Sequence, residues 1–245
     1  MSNASSTKTR AAPRALAKTG KPAGNGRKRV ARPVRAARGQ RRGDLLEAAL
    51  HCFSAHGVEG ATVEMILARC GASIGSLYHH FGGKDGLATA LYLEGIDAYF
   101  RAARALFDEA RTTEDKVKAL VRAFVDRVAA DPAMSSYLFQ ARHYLRKTAH
   151  SAELDRKNAQ FLPGIGAWIR KRMSEGELRP LPPECVLPIL SGPARDYARR
   201  WVAGRVSRPI SQVREVLAQA AWDSLRPLGT PPRRGRASAA KTPRQ

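Results

Sequence analysis

The chain has 245 residues, with 43 Lys and Arg against 21 Asp and Glu, for a formal charge of +22. Residues 1–42 carry 13 basic groups and no acid, and residues 227–245 carry 5 basic groups and no acid, so 18 of the 22 net charges sit at the two ends. That distribution excludes a uniformly basic, histone-like chain. It predicts a globular middle of about 185 residues with two basic extensions, enough for one medium or two small packed units. No stretch approaches 18 uninterrupted apolar residues, so no membrane span is expected. The basic start lacks the apolar segment of a secretory leader. Cys52, Cys70 and Cys185 are odd in number and scattered, which fits a reducing compartment without a disulfide framework. The expectation is a soluble, cytoplasmic protein whose partners are polyanions.

Residues 1–39 are almost entirely small, Pro or basic, and predict a disordered basic arm; 227–245 predict a disordered basic tail. Between them the apolar period is helical throughout, so the fold class is all-α. Gly and Pro clusters cut the pattern into nine helices, near 42–56, 62–69, 73–79, 84–110, 114–130, 133–148, 152–175, 184–204 and 209–225. Pro188 and Pro193 predict a kink or split in the eighth. The short first three helices predict a head at 40–83, and the longer ones a helical-bundle body at 84–226.

Helix 42–56 places Leu45, Leu46, Ala49, Cys52 and Phe53 on one face. Thr62 then stands as an N-cap ahead of Val63, Ile66 and Leu67, with the backbone donors of that first turn open to an anion. Gly71 permits a sharp turn and Ser73 caps the next helix. Two short helices joined this way make a helix-turn-helix, whose second helix can enter a DNA major groove about 12 Å wide. Leu67 occupies a place where such units usually carry Ala, so it must turn aside or widen the crossing.

The run Gly71-Ala-Ser-Ile-Gly-Ser-Leu-Tyr-His-His-Phe81, followed by Gly-Gly-Lys84-Asp-Gly-Leu87, resembles the signature of the TetR family of bacterial transcriptional regulators. Leu45 to Phe53 and Gly57 to Val63 are similar to that family's first helix and following loop. The match covers residues 43–87. The resemblance implies phosphate contacts from Thr62, Ser73, Ser76, Tyr78, His80 and Lys84, all of which are chemically apt donors. It implies base readout by Glu64, Ile74, Gly75 and His79. Ile74 offers only apolar contact with a thymine methyl and Gly75 offers no side chain, so shape and phosphate contacts should carry a larger share. Arg38, Arg41 and Arg42, just ahead of the first helix, are candidates for a minor-groove arm.

In the body, large apolar and aromatic residues recur at helical spacing, which is mostly core. The resemblance implies a ligand-responsive domain, with His143, Tyr144 and Trp168 as candidate lining for a small-molecule inducer. Such an inducer must bind the two spacings of paired heads differently. Helix 184–204 carries Leu190, Tyr197 and Trp201 on one side, and helix 209–225 carries Val213, Leu217 and Ala220. In the resembling family these two helices form a homodimer interface, and a two-fold protein matches a palindromic operator. The implied function is a sequence-specific repressor of double-stranded DNA, nucleoid-associated when bound. The rival reading is an architectural protein whose tails coat DNA without sequence choice. His79, His80 and Cys70 lack the four close ligands of structural zinc, so no metal is predicted, and no cofactor. No Cys has a His and carboxylate constellation, so the chain is not expected to be an enzyme.

Overall fold

The computed structural model describes residues 34–229, apart from the side chains of 34–38, 158 and 160–163. Most of the predicted arm and nearly all of the tail therefore lie outside the described residues. The elements are α1 (Val34–Gly60), α2 (Val63–Cys70), α3 (Ile74–Phe81), α4 (Lys84–Glu109), α5 (Thr113–Ala130), α6 (Pro132–Leu145), α7 (Ser151–Ser174), α8 (Pro183–Val202), a 3-10 turn (Ile210–Val213) and α9 (Arg214–Leu225). There is no strand among the described residues, and the architecture is all-α with a helix-turn-helix at one end. No described helix is long and apolar enough to cross a membrane.

Local chemistry sets the starts of several helices. Thr112 accepts a hydrogen bond from the Asp115 N–H at 3.0 Å, and Asp131 accepts from Met134 at 2.9 Å with Pro132 at the first helical position. Three boundaries differ from the sequence expectation. α1 begins at Val34, eight residues ahead of 42, because the Ala and Arg after Pro33 are strong helix formers and Gly39 alone does not break them. α8 stays a single helix through Pro188 and Pro193. Each proline removes one backbone donor, while Val186, Leu190, Ala194 and Ala198 remain anchored in the core at 6% exposure or less. The ninth segment divides into the 3-10 turn and α9.

The buried residues form two clusters. The first joins Leu45, Ala49, Phe53, Ile66 and Leu77 of the head to Leu87, Ala88, Leu91 and Tyr92 of α4, and to Met134, Tyr137, Ala141 and Leu145 of α6. The second fills the far end of the bundle with Val117, Val121, Val125, Ile169, Leu190, Ala198, Ala218 and Leu225. The first core therefore runs straight through the head–body division expected near residue 83. Tyr137 is its largest fully buried side chain. Its ring stacks on Phe53 at 5.7 Å between centroids, and its O–H donates to the Ala88 carbonyl at 2.5 Å.

Close backbone approach fixes how α4 leaves the head. A Cβ on Gly86 would lie 1.8 Å from the Phe81 carbonyl oxygen, which belongs to the end of α3. Only glycine fits. Gly86→Ala should lower stability by about 3 kcal/mol, since a backbone oxygen cannot yield as a side chain can. Gly192 has nothing within 4 Å of the place a Cβ would take, and should accept Ala with unchanged or higher stability. Urea unfolding of the two variants checks the contrast, and equal midpoints would refute it.

Candidate nucleic-acid interface

The head presents α3 on a capped turn. The Thr62 Oγ1 accepts from the Met65 N–H at 3.3 Å, and the Ser73 Oγ accepts from the Ser76 N–H at 3.2 Å. Between them Gly71 sits in the left-handed region at φ 64°, and its N–H donates to the Leu67 carbonyl at 2.8 Å. Side chains strain at that φ, so the turn is built for glycine. Leu67 is half-buried and packs against the first core. On α3, Leu77 is fully buried, while Ile74 is 55% and Tyr78 54% exposed. An isoleucine and a tyrosine left open on a short helix, with the opposite face locked into the core, form a surface ready for a partner.

The predicted phosphate and base residues distribute around this face. Thr62, Ser73, Gly75, Tyr78 and His79 are exposed, and Ser76 and His80 are half-buried. A hydroxyl that accepts in a cap retains its own proton, so Ser73 keeps a donor, while that of Thr62 is turned to the Glu64 carboxylate. Glu64 is exposed at the start of α2, and its carboxyl is held below the usual range by its own backbone N–H and by the Thr62 hydroxyl. That places a fixed negative charge beside the proposed phosphate donors. The rings of His79 and His80 meet edge-on at 5.2 Å, and His80 tilts against Phe81 at 6.0 Å. Met65 and Arg69 are also exposed on α2, and neither was expected from the sequence. Their spacing of three and seven residues after Thr62 is the signal that could have found them.

Lys84 has a different task from the phosphate contact expected of it. Its ammonium donates to the carbonyls of Val58 at 2.9 Å, Ala61 at 3.0 Å and Glu59 at 3.4 Å. An ammonium has three protons, and all three are directed at the short turn that follows the non-helical break at Gly57 (φ 71°). The cation satisfies carbonyls of that turn, between the break and α2, that no onward helix would pair. Arg42 is likewise diverted from the expected groove arm. It lies on α1, pairs with Glu94 of α4 at 2.6 Å, and holds its guanidinium 5.5 Å from the centre of the Phe81 ring. Arg41 is exposed on α1, and Arg38 is helical with its side chain outside the described residues.

The three candidate lining residues of the body are not gathered in one place. His143 is exposed, and the Tyr144 hydroxyl donates to the Asp85 carboxylate at 2.5 Å. Burial and that bond push the Tyr144 phenol up to about 12. Trp168 packs edge-to-face on Phe107 at 5.0 Å. A cavity of about 160 Å³ lies instead between α7 and α8, lined by Ile165, Ile169, Met173, Leu181 and Val186, none of them among the three. On the expected dimer face, Leu190 is only 5% exposed because it turns into its own core, which removes it from a surface role. Tyr197, Trp201, Val213 and Leu217 are half-buried against the second core, and Ala220 is exposed. Val216 at 66% and Leu187 at 42% are the large apolar side chains left open there. Neither was expected from the sequence, because each falls off the stripe that fills the core.

Replacing Lys84 by Met removes the charge and keeps most of the stem. The loss of charge-assisted bonds to three carbonyls should cost about 2 kcal/mol. The expected outcome is a lower melting temperature, with the salt dependence of DNA binding by the folded fraction unchanged. A salt slope reduced by roughly 0.9 would instead identify a phosphate contact.

Residues 45–91 match the family model described as bacterial regulatory proteins, tetR family. The HTH-type transcriptional repressor AcnR of Corynebacterium glutamicum is 47% identical over 53 residues, which cover 22% of this chain and 28% of that one. The chain thus matches little more than a quarter of AcnR's length. The HTH-type transcriptional repressor KstR2 of Mycobacterium tuberculosis is 28% identical over 170 residues, covering 69% of this chain and 82% of that one. Among solved structures, a TetR family transcription regulator from Marinobacter aquaeolei superposes with a TM-score of 0.66 at 19% identity, covering 79% of this chain and 99% of the other. Residues 45–91 thus carry a helix-turn-helix that matches the tetR family of bacterial regulatory proteins, and the whole chain shares its fold with solved TetR family regulators.

Proposed function

We propose that this chain is a homodimeric transcriptional repressor that reads a palindromic operator through α3 and responds to a small ligand in its helical body. The observation that carries the reading is the outer face of α3, where Ile74 and Tyr78 are more than half exposed on a helix whose inner face is fully locked by Leu77. Thr62, Ser73, Ser76, Tyr78 and His80 would meet phosphates, fixing register on the duplex. Glu64 and His79 would read base edges, with Glu64 suited to a cytosine amino group and Ile74 to a thymine methyl. With so few polar readers, sequence choice would lean on groove shape as well. Val216, Leu187, Trp201, Leu217 and Ala220 would be covered by a second copy, which sets the two heads at a spacing a palindrome can match.

Selection from random duplexes tests the reading. Enrichment of a two-fold half-site is expected, whereas uniform recovery would favour coating by the basic ends. Tyr78→Ala should weaken binding roughly tenfold on every duplex, the scale of one hydrogen bond to a charged oxygen. His79→Ala should instead change which bases are preferred. A Tyr78→Ala variant that binds all duplexes with wild-type affinity would remove the phosphate assignment.

The assembly has its own test. Val216→Asp places a charge on the exposed apolar row without entering the core, so folding should survive. Light scattering at micromolar concentration should give a dimer for the wild type and a monomer for the variant. Equal masses for both would overturn the proposed interface.

A further inference from the structure

α7 carries Ile165, Ile169 and Met173 one turn apart, so the three make a single row along the helix. Ile165 is 8% and Ile169 4% exposed, and both belong to the second core, as does Val186 of α8 at 6%. Met173 and Leu181 pack against that core from the end of α7 and from the segment that leads to α8. These side chains do not close on one another. They leave the cavity of about 160 Å³ between the two helices, whose outer wall includes the exposed Leu187.

The walls are apolar with a single exception. Arg170 is the one charged residue among those that line the cavity. A Cβ on Gly166 would lie 3.5 Å from the Arg170 Nη1, so the guanidinium folds back along α7 over Gly166, which lines the same cavity. Glycine is a poor residue for a helix interior, and here its bare backbone gives the guanidinium room. Among the described residues Arg170 has no ion pair, whereas its neighbours Lys171 and Arg172 are held by Glu175 at 3.9 and 2.8 Å.

Aliphatic walls offer water no hydrogen bonds, and a cavity of about 150 Å³ with walls of this kind takes up benzene. An apolar body of that size would be drawn in by the hydrophobic effect, with the pliable Met173 adjusting to its shape. The guanidinium beside it supplies a forked donor for one carboxylate. A second anionic group would find no cation in the lining.

We infer that the α7–α8 cavity binds a compact monocarboxylate whose hydrocarbon part is the size of a single aromatic ring, with its carboxylate on Arg170. The inference gives the ligand-responsive body proposed above a site and a ligand class, and it rests on that reading only for its effect on DNA. The route to such an effect is short. Val186 and Leu187 are consecutive on α8 and both line the cavity, while Leu187 also belongs to the row proposed to meet a second copy. An occupant that props α8 against α7 acts directly on the surface that sets the spacing of the two heads.

Calorimetric titration of the full chain with benzoate, without DNA and at constant ionic strength, tests the site. Saturable binding of one benzoate per chain is expected, with a Kd below about 1 mM. Benzamide, of the same size without the charge, should bind roughly tenfold more weakly. Arg170→Gln should remove that preference and leave the two probes within about twofold of each other. Arg170→Lys should keep part of the preference, and Lys171→Gln, which changes a cation outside the lining, all of it. Ile169→Phe adds bulk inside the cavity and should weaken both probes. Arg170 is exposed, so its variants should fold and carry the test even if Ile169→Phe does not. No saturable benzoate binding, or a benzoate preference that survives in Arg170→Gln, would overturn the site and leave the DNA reading untouched. Benzoate binding that leaves the affinity for a selected duplex unchanged would uphold the site and refute the ligand-responsive reading.

Discussion

Everything in this molecule depends on a tyrosine that belongs to two parts of it at once. Tyr137 comes from α6, yet its ring lies on Phe53 of α1 and its hydroxyl is satisfied by a carbonyl of α4. A buried phenol without an acceptor would be costly, so the bond to Ala88 fixes α6 against α4 while the ring fixes it against α1. A three-helix head of this size buries too little apolar surface to be rigid on its own. Sharing its core with α4 and α6 supplies what it lacks. The consequence is mechanical: the body cannot shift α6 without disturbing the packing beneath α1.

Two cations complete the same arrangement from outside. Lys84 ties down the turn between α1 and α2, and Arg42 reaches from α1 to Glu94 while covering Phe81. Exposed ion pairs contribute little alone, but the Lys84 ammonium is directed at carbonyls that no helix hydrogen bond would satisfy. The Tyr144–Asp85 bond adds a further tie at the first turn of α4. The start of α4 is thus held from α1 and α6 at once, with Gly86 allowing the close pass over Phe81.

Helix positions were largely legible in the sequence because Gly, Pro and capping residues act locally. Thr62, Gly71 and Ser73 predicted the turn, and α2, α3 and α4 lie within two residues of their expected bounds. Family resemblance pointed to the outer face of α3, and Ile74, Tyr78 and His79 are open there. What was not legible depends on distant partners. Lys84 is 26 residues from Val58, and Arg42 is 52 from Glu94; no local pattern announces either contact. Leu190 illustrates the same limit, since an amphipathic stripe shows which residues are apolar but not whether they face their own core or a neighbour. The start of α1 was missed for another reason: Ala-rich and Arg-rich sequence suits an extended basic arm as well as a helix.

That longer α1 changes where the preceding 33 residues are tethered. From Val34 to Arg42 the helix adds roughly 12 Å of rigid rod at 1.5 Å per residue. Val34, where the described chain begins, therefore stands that far beyond the part of α1 that packs in the head. The added length is about the width of the groove that α3 would enter.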